Sequence, residues 1–167
     1  MAGYNGNGEL GINDTSSQSS FVQVKNEDGT GFLTNIKDIE SGVNTMYAIT
    51  NDGEVYAWGY NGYGQMGFGD TSSRLLPVKL NITNIKQISA GEHDTIALDN
   101  NGEIWVAGRN TEGQLGIGNT SNSAVWAKMK SSDGSKDISE IKEVSAGRYH
   151  TMLLNNNGEV YSTGYNN

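Results

Sequence analysis

The chain has 167 residues with 11 basic against 19 acidic side chains, a net charge of −8, and no Lys/Arg cluster, so binding to nucleic acid or to anionic lipid is disfavoured. It has no cysteine, which excludes disulfides and leaves the redox compartment unread. No apolar run approaches the ~18 residues of a membrane-spanning helix, so a soluble protein is expected, with no signal peptide ahead of the first repeat and its compartment unknown.

In chain order, the first block is Gly3-Tyr4-Asn5-Gly6-Asn7-Gly8-Glu9-Leu10-Gly11, a frame G-x-N-x-x-G-x-(L/M)-G. Phe21 to Val24 predicts a strand, and Ile36 to Ile39 a second one that ends in Ile39-Glu40-Ser41-Gly42. Met46-Tyr47-Ala48-Ile49 and Val55-Tyr56-Ala57-Trp58 flank Asn51-Asp52-Gly53-Glu54. An Asp-Gly or Asn-Gly pair between alternating apolar runs is a two-residue hairpin signal, because glycine accepts positive φ.

The frame then restarts at Gly59–Gly67 and at Gly108–Gly116, and begins again at Gly164-Tyr165-Asn166. The leading glycines 3, 59, 108 and 164 are 56, 49 and 56 residues apart, a period that belongs to solenoids, propellers and arrays. In the second copy Leu76 to Leu80, Ile85 to Ile88, Thr95 to Leu98 and Ile104 to Ala107 are predicted strands, with the turn Asn100-Asn101-Gly102-Glu103. In the third they are Val125 to Met129, Ile141 to Val144, Thr151 to Leu154 and Val160 to Thr163, with the turn Asn156-Asn157-Gly158-Glu159. The runs are rich in β-branched and aromatic residues. Each repeat therefore supplies four antiparallel strands, A to D, the composition of a propeller blade. Pro77 suits an outermost D strand, where a missing N–H faces solvent. The expected class is all-β, one domain over 1–167 with repeats near 3–58, 59–107 and 108–163, and 164–167 opening a fourth.

These motifs, Ala-Gly-x-x-x-Thr, Asp/Asn-Gly-Glu-(Val/Ile)-(Tyr/Trp), Gly-x-Asn-x-x-Gly-(Gln/Glu)-(Leu/Met)-Gly and Gly-Asp/Asn-Thr-Ser, resemble in that order the regulator of chromosome condensation repeat, over almost the whole chain. The resemblance implies a β-propeller. Members of that family include guanine-nucleotide exchange factors for a small GTPase and secreted inhibitors of β-lactamase, which act through propeller faces. No stretch of this chain matches a motif dedicated to exchange or to inhibition, and fold analogy alone assigns no activity.

The first segment, residues 3 to about 25, reads as a D strand without its blade, and the last blade has A, B and C without D. Three blades are fewer than the ~4 to 8 that propellers use. A head-to-tail homodimer would close at six blades and a trimer at nine, each removing exposed sheet edges, with the homodimer the expected form. The family typically closes at seven, and a fragment or an open three-blade stack are the other readings.

The glycine frames lack the helix N-terminus and lysine of a phosphate loop. The Asp/Asn-Gly-Glu turns return at once to strand, unlike a calcium loop. His93 and His150 stand at different frame positions and are too few for zinc, and no Gly-x-Ser-x-Gly elbow exists. No catalytic residue, metal or cofactor is assigned, and a non-enzyme is expected.

Function is sought in what varies on the frame. The residues after the strand-A glycine change freely: Val43-Asn44-Thr45, Glu92-His93-Asp94 and Arg148-Tyr149-His150. Changing bulky or charged tips on a rigid scaffold suit a recognition surface. Glu92, His93, Asp94, Arg148, Tyr149 and His150 are the candidate partner-binding residues, with Arg148 and Tyr149 foremost as anchor types. The D–A connections near Asn26–Gly31 and Ser131–Asp137 carry seven extra residues in copies one and three and read as tolerated slack. The expected function is a protein-binding or scaffolding propeller. The alternatives are a repeat fragment whose only property is self-assembly, and a regulator resembling the exchange factors or inhibitors of the family.

Overall fold

The computed structural model describes residues 1–166; Asn167, the end of the fourth frame copy, lies outside the described residues. Among the described residues eleven strands form three antiparallel sheets. The first contains β1 (Ile36–Ser41), β2 (Thr45–Thr50), β3 (Val55–Gly59) and β4 (Arg74–Lys79), hydrogen-bonded in that order. The second contains β5 (Ile85–Ala90), β6 (Asp94–Asp99), β7 (Ile104–Gly108) and β8 (Ser123–Lys128) in the same order. The third has β9 (Ile141–Ala146), β10 (His150–Asn155) and β11 (Val160–Gly164), and β11 forms one edge.

Alternation puts one side of each strand into the seam between blades. Tyr47 and Ile49 of β2 and Val55 and Ala57 of β3 pack with Met66 and Leu80 against Ile85 and Ile88 of the second blade. Ile96, Leu98, Ile104, Val106, Leu115 and Met129 do the same against Ile141, Val144 and Leu153 of the third. The core therefore lies between sheets, and each Val, Leu, Ile or Met side chain in it contributes about 1.5–3 kcal/mol only while the neighbouring blade is there.

The frame residues have defined work. Asn5, Asn61 and Asn110 are fully buried. In the second copy, Asn61 Nδ2 donates to the Asp70 carbonyl (3.0 Å) and Oδ1 accepts from the Met66 N–H (2.9 Å). Asn5 and Asn110 repeat this with Asp14 and Leu10, and with Asn119 and Leu115. Gly64, at φ 76°, lies where a Cβ would stand 2.5 Å from Ala124 Cα, so the loop between strands C and D abuts the next blade's outer strand.

Three details differ from the sequence expectations. The hairpin glycines do take positive φ (Gly53 76°, Gly102 79°, Gly158 84°). The preceding Asp52, Asn101 and Asn157 do not, so each connection is a longer loop closed by Thr50 N–H to the Glu54 carbonyl and its counterparts rather than a two-residue turn. The outer strands begin about two residues earlier than expected, at Arg74 and Ser123. Pro77 does sit in the edge strand β4.

The third concerns Phe21 to Val24, which forms no strand. Against Met1–Gly3 the segment makes an isolated Gly3–Gln18 bridge and a bond from Val22 N–H to the Met1 carbonyl (2.7 Å), too few for a ladder. Phe21 is 90% exposed. The segment nevertheless docks on the first blade, where Leu10 is buried and Trp58 Nε1 donates to the Glu9 carbonyl at 2.9 Å.

The two ends of the stack carry uncovered copies of seam residues. Ile39, Ile88 and Val144 hold one frame position, and they are 74%, 4% and 3% exposed. At the other end Met152 is 51% exposed, where its counterparts Tyr47 and Ile96 are buried; Val160 is likewise exposed where Val55 and Ile104 are buried.

Candidate functional site

The turns between strands A and B and the loops between C and D share one face. Backbone bonds join them, from Tyr60 N–H to the Asn44 carbonyl (2.8 Å), Arg109 to His93 (2.8 Å) and Tyr165 to Tyr149 (3.0 Å). A shallow hollow opens among the strand-A ends, lined by Ser41–Val43, Ala90–Glu92 and Ala146–Arg148. β5 packs on β1 and β9 on β5, so these ends lie at the inner edge of the stack.

On this rim the structure brings together three of the six expected residues. Arg148 donates twice to the Glu92 carboxylate, Nε to Oε2 at 3.0 Å and Nη2 to Oε1 at 3.2 Å. Tyr149 lies between two guanidinium groups, with Arg109 Cζ 4.8 Å and Arg148 Cζ 4.9 Å from its ring centre. Arg109 also approaches Glu92 (4.0 Å) and Glu112 (3.7 Å). The hydrogen bond from Arg148 holds the Glu92 carboxyl below the ordinary range.

His93 belongs to a neighbouring aromatic group, stacked on Tyr63 with centroids 4.5 Å apart and tilted against Tyr60 at 5.7 Å. Its desolvation lowers its pKa. His150 is exposed beside Tyr165. Asp94 departs from expectation. It is 1% exposed and both carboxyl oxygens are shut off from solvent, so it points into the blade and offers nothing to a partner. The reason lies at Gly91, which has no side chain and leaves the space that the Asp94 carboxyl fills.

Sequence reasoning missed Arg109, Tyr60, Tyr63 and Glu112. The signal was present, since the residue after the leading glycine changes from Tyr60 to Arg109 to Tyr165 within a constant frame. The rim is an array of anchored aromatic and guanidinium groups, chemistry suited to binding another protein surface.

Two four-stranded antiparallel blades and a three-stranded third, stacked with their core in the seams, are the arrangement of β-propeller blades. The repeat description "Regulator of chromosome condensation (RCC1) repeat" matches residues 52–98 and 101–154, and a second description of the same repeat matches 36–65 and 85–114. The chain belongs to the regulator of chromosome condensation repeat family. It is 38% identical over 78 residues to the ultraviolet-B receptor UVR8 of Arabidopsis thaliana, covering 47% of this chain and 17% of the receptor. It is 36% identical over 84 residues to the X-linked retinitis pigmentosa GTPase regulator of Mus musculus, covering 48% and 8%. The chain thus spans a small part of the length of these relatives.

Among solved structures, human WBSCR16 superposes with a TM-score of 0.82 at 22% identity, over 98% of this chain and 42% of that one. Prp20p of Saccharomyces cerevisiae, a protein reported with binding to Gsp1p and histones, superposes with a TM-score of 0.70 at 27% identity, over 80% and 34%. Among the described residues no helix is long and apolar enough to cross a membrane.

Proposed function

We propose that this chain is a non-enzymatic, protein-binding scaffold that closes its ring with a second copy into six blades and offers the Glu92–Arg148–Tyr149 rim to another protein. The observation that carries the assembly is the pair of uncovered ends. Ile39 at one end and Met152 and Val160 at the other are the same frame positions that the two internal seams bury, so the ends are complementary by construction. A head-to-tail contact of this kind is heterologous and closes when the rotation allows it. The loops agree, since Gly64 is pressed by the next blade while its counterpart Gly113 has nothing within 4 Å. Sedimentation at micromolar concentration tests the assembly. A two-chain mass supports it, a one-chain mass refutes it, and removal of residues 1–25 abolishes it.

Binding of a protein partner is supported by the rim and by relatives such as Prp20p, with its binding to Gsp1p and histones. Arg148→Ala with Tyr149→Ala is expected to lose partners in a pull-down that the parent protein retains. Recovery of the same proteins by both would count against the rim, and recovery of none by either would leave self-assembly as the only activity.

A further inference from the structure

Asp94 is an ionisable side chain in a place where the first blade has a hydroxyl. There Thr45 Oγ1 donates to the Tyr60 carbonyl (2.7 Å) and accepts from the Gln65 amide (3.1 Å). The backbone around the two residues is the same: Gly91 N–H donates to the Asp94 carbonyl at 2.9 Å, as Gly42 does to Thr45 at 2.9 Å. Yet neither carboxyl oxygen of Asp94 has a hydrogen-bond partner, nor does Nε2 of Gln114, the counterpart of Gln65. A side chain on Gly91 would meet Asp94 Oδ1 at 2.7 Å and the Gly147 carbonyl oxygen at 2.6 Å, so the carboxyl and a backbone acceptor crowd one spot. A carboxylate can only accept, and burying it unpaired is costly. A carboxylic acid has one O–H to donate and oxygens left to accept, the two functions that Thr45 performs.

We propose that Asp94 is a protonated carboxylic acid in the folded protein, standing in for the threonine hydroxyl, and that its ionisation loosens the turn that carries Glu92 and His93. This holds whether or not the rim binds a partner. The charged groups that act on it are Arg109, just after β7, and Glu92 on its own turn, where His93 also stands; Tyr47 faces it from the first blade, and Arg148 and His150 belong to the turn that supplies the Gly147 carbonyl. Burial is the largest influence on the carboxyl, Arg109 favours the charged form and Glu92 opposes it, and the balance pushes the group up to about 7. Arg109 cannot neutralise Asp94 fully, because its guanidinium is shared among Tyr149, Glu92 and Glu112. Desolvation keeps the Tyr47 phenol protonated throughout.

Carbon-13 NMR of the Asp94 carboxyl in the intact chain tests this, with Asp94→Asn for assignment and Asp94→Thr as the hydroxyl restored. The expected titration midpoint is about 7, with the Glu92 and Asp94 amides moving at the same midpoint, and Asp94→Thr removing that transition. A midpoint near about 4, the ordinary aspartate value, overturns the proposal, as do turn amides in Asp94→Thr that keep the parent's midpoint. The titration is read in the parent protein, where through-bond correlation to the Asp94 amide assigns the carboxyl if Asp94→Asn misfolds, so a misfolded substitution leaves the answer intact.

Discussion

Ile39 and Ile88 occupy the same position in successive blades, yet one is 74% exposed and the other 4%. What separates them is a neighbour: Ile88 is covered in the seam between the first and second blades, and Ile39 faces the open end. Ile88→Ala is expected to cost about 2–5 kcal/mol of folding stability, the usual range for a buried isoleucine. Ile39→Asp is expected to leave the melting of the single chain close to that of the parent and to abolish the two-chain species. Urea unfolding and sedimentation read the two effects separately. Equal loss of stability in both variants would show that the open end is covered in some other way.

The seam also has a polar tie. Tyr47 Oη and Thr95 Oγ1 lie 2.7 Å apart across it, and Tyr47 Oη donates to the Gln65 carbonyl at 3.1 Å. Tyr47→Phe keeps the ring and strips the hydroxyl, leaving Thr95 and the carbonyl short of a partner. A loss of about 1–3 kcal/mol is expected. The denaturant midpoint should move while its slope stays constant, because the change alters neither fold nor buried area.

Self-association has its own register marker. Lys79 pairs with Glu54 at 2.5 Å and Lys128 with Glu103 at 2.7 Å, each across strands C and D of one blade. Glu159 is the third-blade counterpart of those glutamates, and in the first segment the lysine position holds Gln23. If that segment supplies the third blade of a second copy, Gln23→Lys adds the missing ion pair. Association should tighten several-fold at low salt and return to the parent value at high salt, since exposed pairs are screened. Unchanged association at every ionic strength would argue against strand donation.

Much of this architecture was legible because a repeated sequence states each constraint three times. The glycine and asparagine frame located every loop between strands C and D, since a buried Asn and a positive-φ glycine are irreplaceable in that turn. Periodicity identified β1 to β11, although not the first residues of β4 and β8, where a register shift lets the strand begin earlier. Phe21 to Val24 misled because its pattern is that of a strand, and a pattern does not reveal whether a neighbouring strand is there to pair with. Asp94 misled for the opposite reason. A charged residue at a turn tip reads as surface, and only the space left by Gly91 turns it inward.

Acid should loosen the long connection of the third repeat. Ser131 Oγ, then the backbone N–H and Oγ of Ser135, donate to Asp133 and hold its carboxyl down at about 2. Lys130 lowers Asp137 by the same kind of contact at 2.6 Å. A depressed folded-state pKa contributes order above the unfolded value of about 4 and loses it as pH falls through the folded value. The Ser135 amide should therefore lose its hydrogen-bonded shift between about pH 4 and 2, and Asp133→Asn should remove that transition, since its amide oxygen still accepts. A Ser135 shift independent of pH would contradict the assigned contacts.

Gly64 and Gly113 separate backbone conformation from blade contact. Both have positive φ, 76° and 78°, so alanine at either carries the left-handed penalty, about 1 kcal/mol or somewhat more. Only Gly64 faces a neighbour, with Ala124 Cα 2.5 Å from where its Cβ would stand; Gly113 has open space. Gly64→Ala must displace backbone of the second blade and is expected to cost at least ~2 kcal/mol more than Gly113→Ala, as overpacking does. In the paired ring the outcome for Gly113 changes, because the incoming outer strand would lie where Ala124 lies for Gly64. Gly113→Ala should then cost the single chain no more than its left-handed penalty, about 1 kcal/mol or somewhat more, and weaken association as well. Equal costs at the two glycines in the isolated chain would mean that the loops between strands C and D do not bear on the next blade, and would remove the basis for reading the open end as a seam.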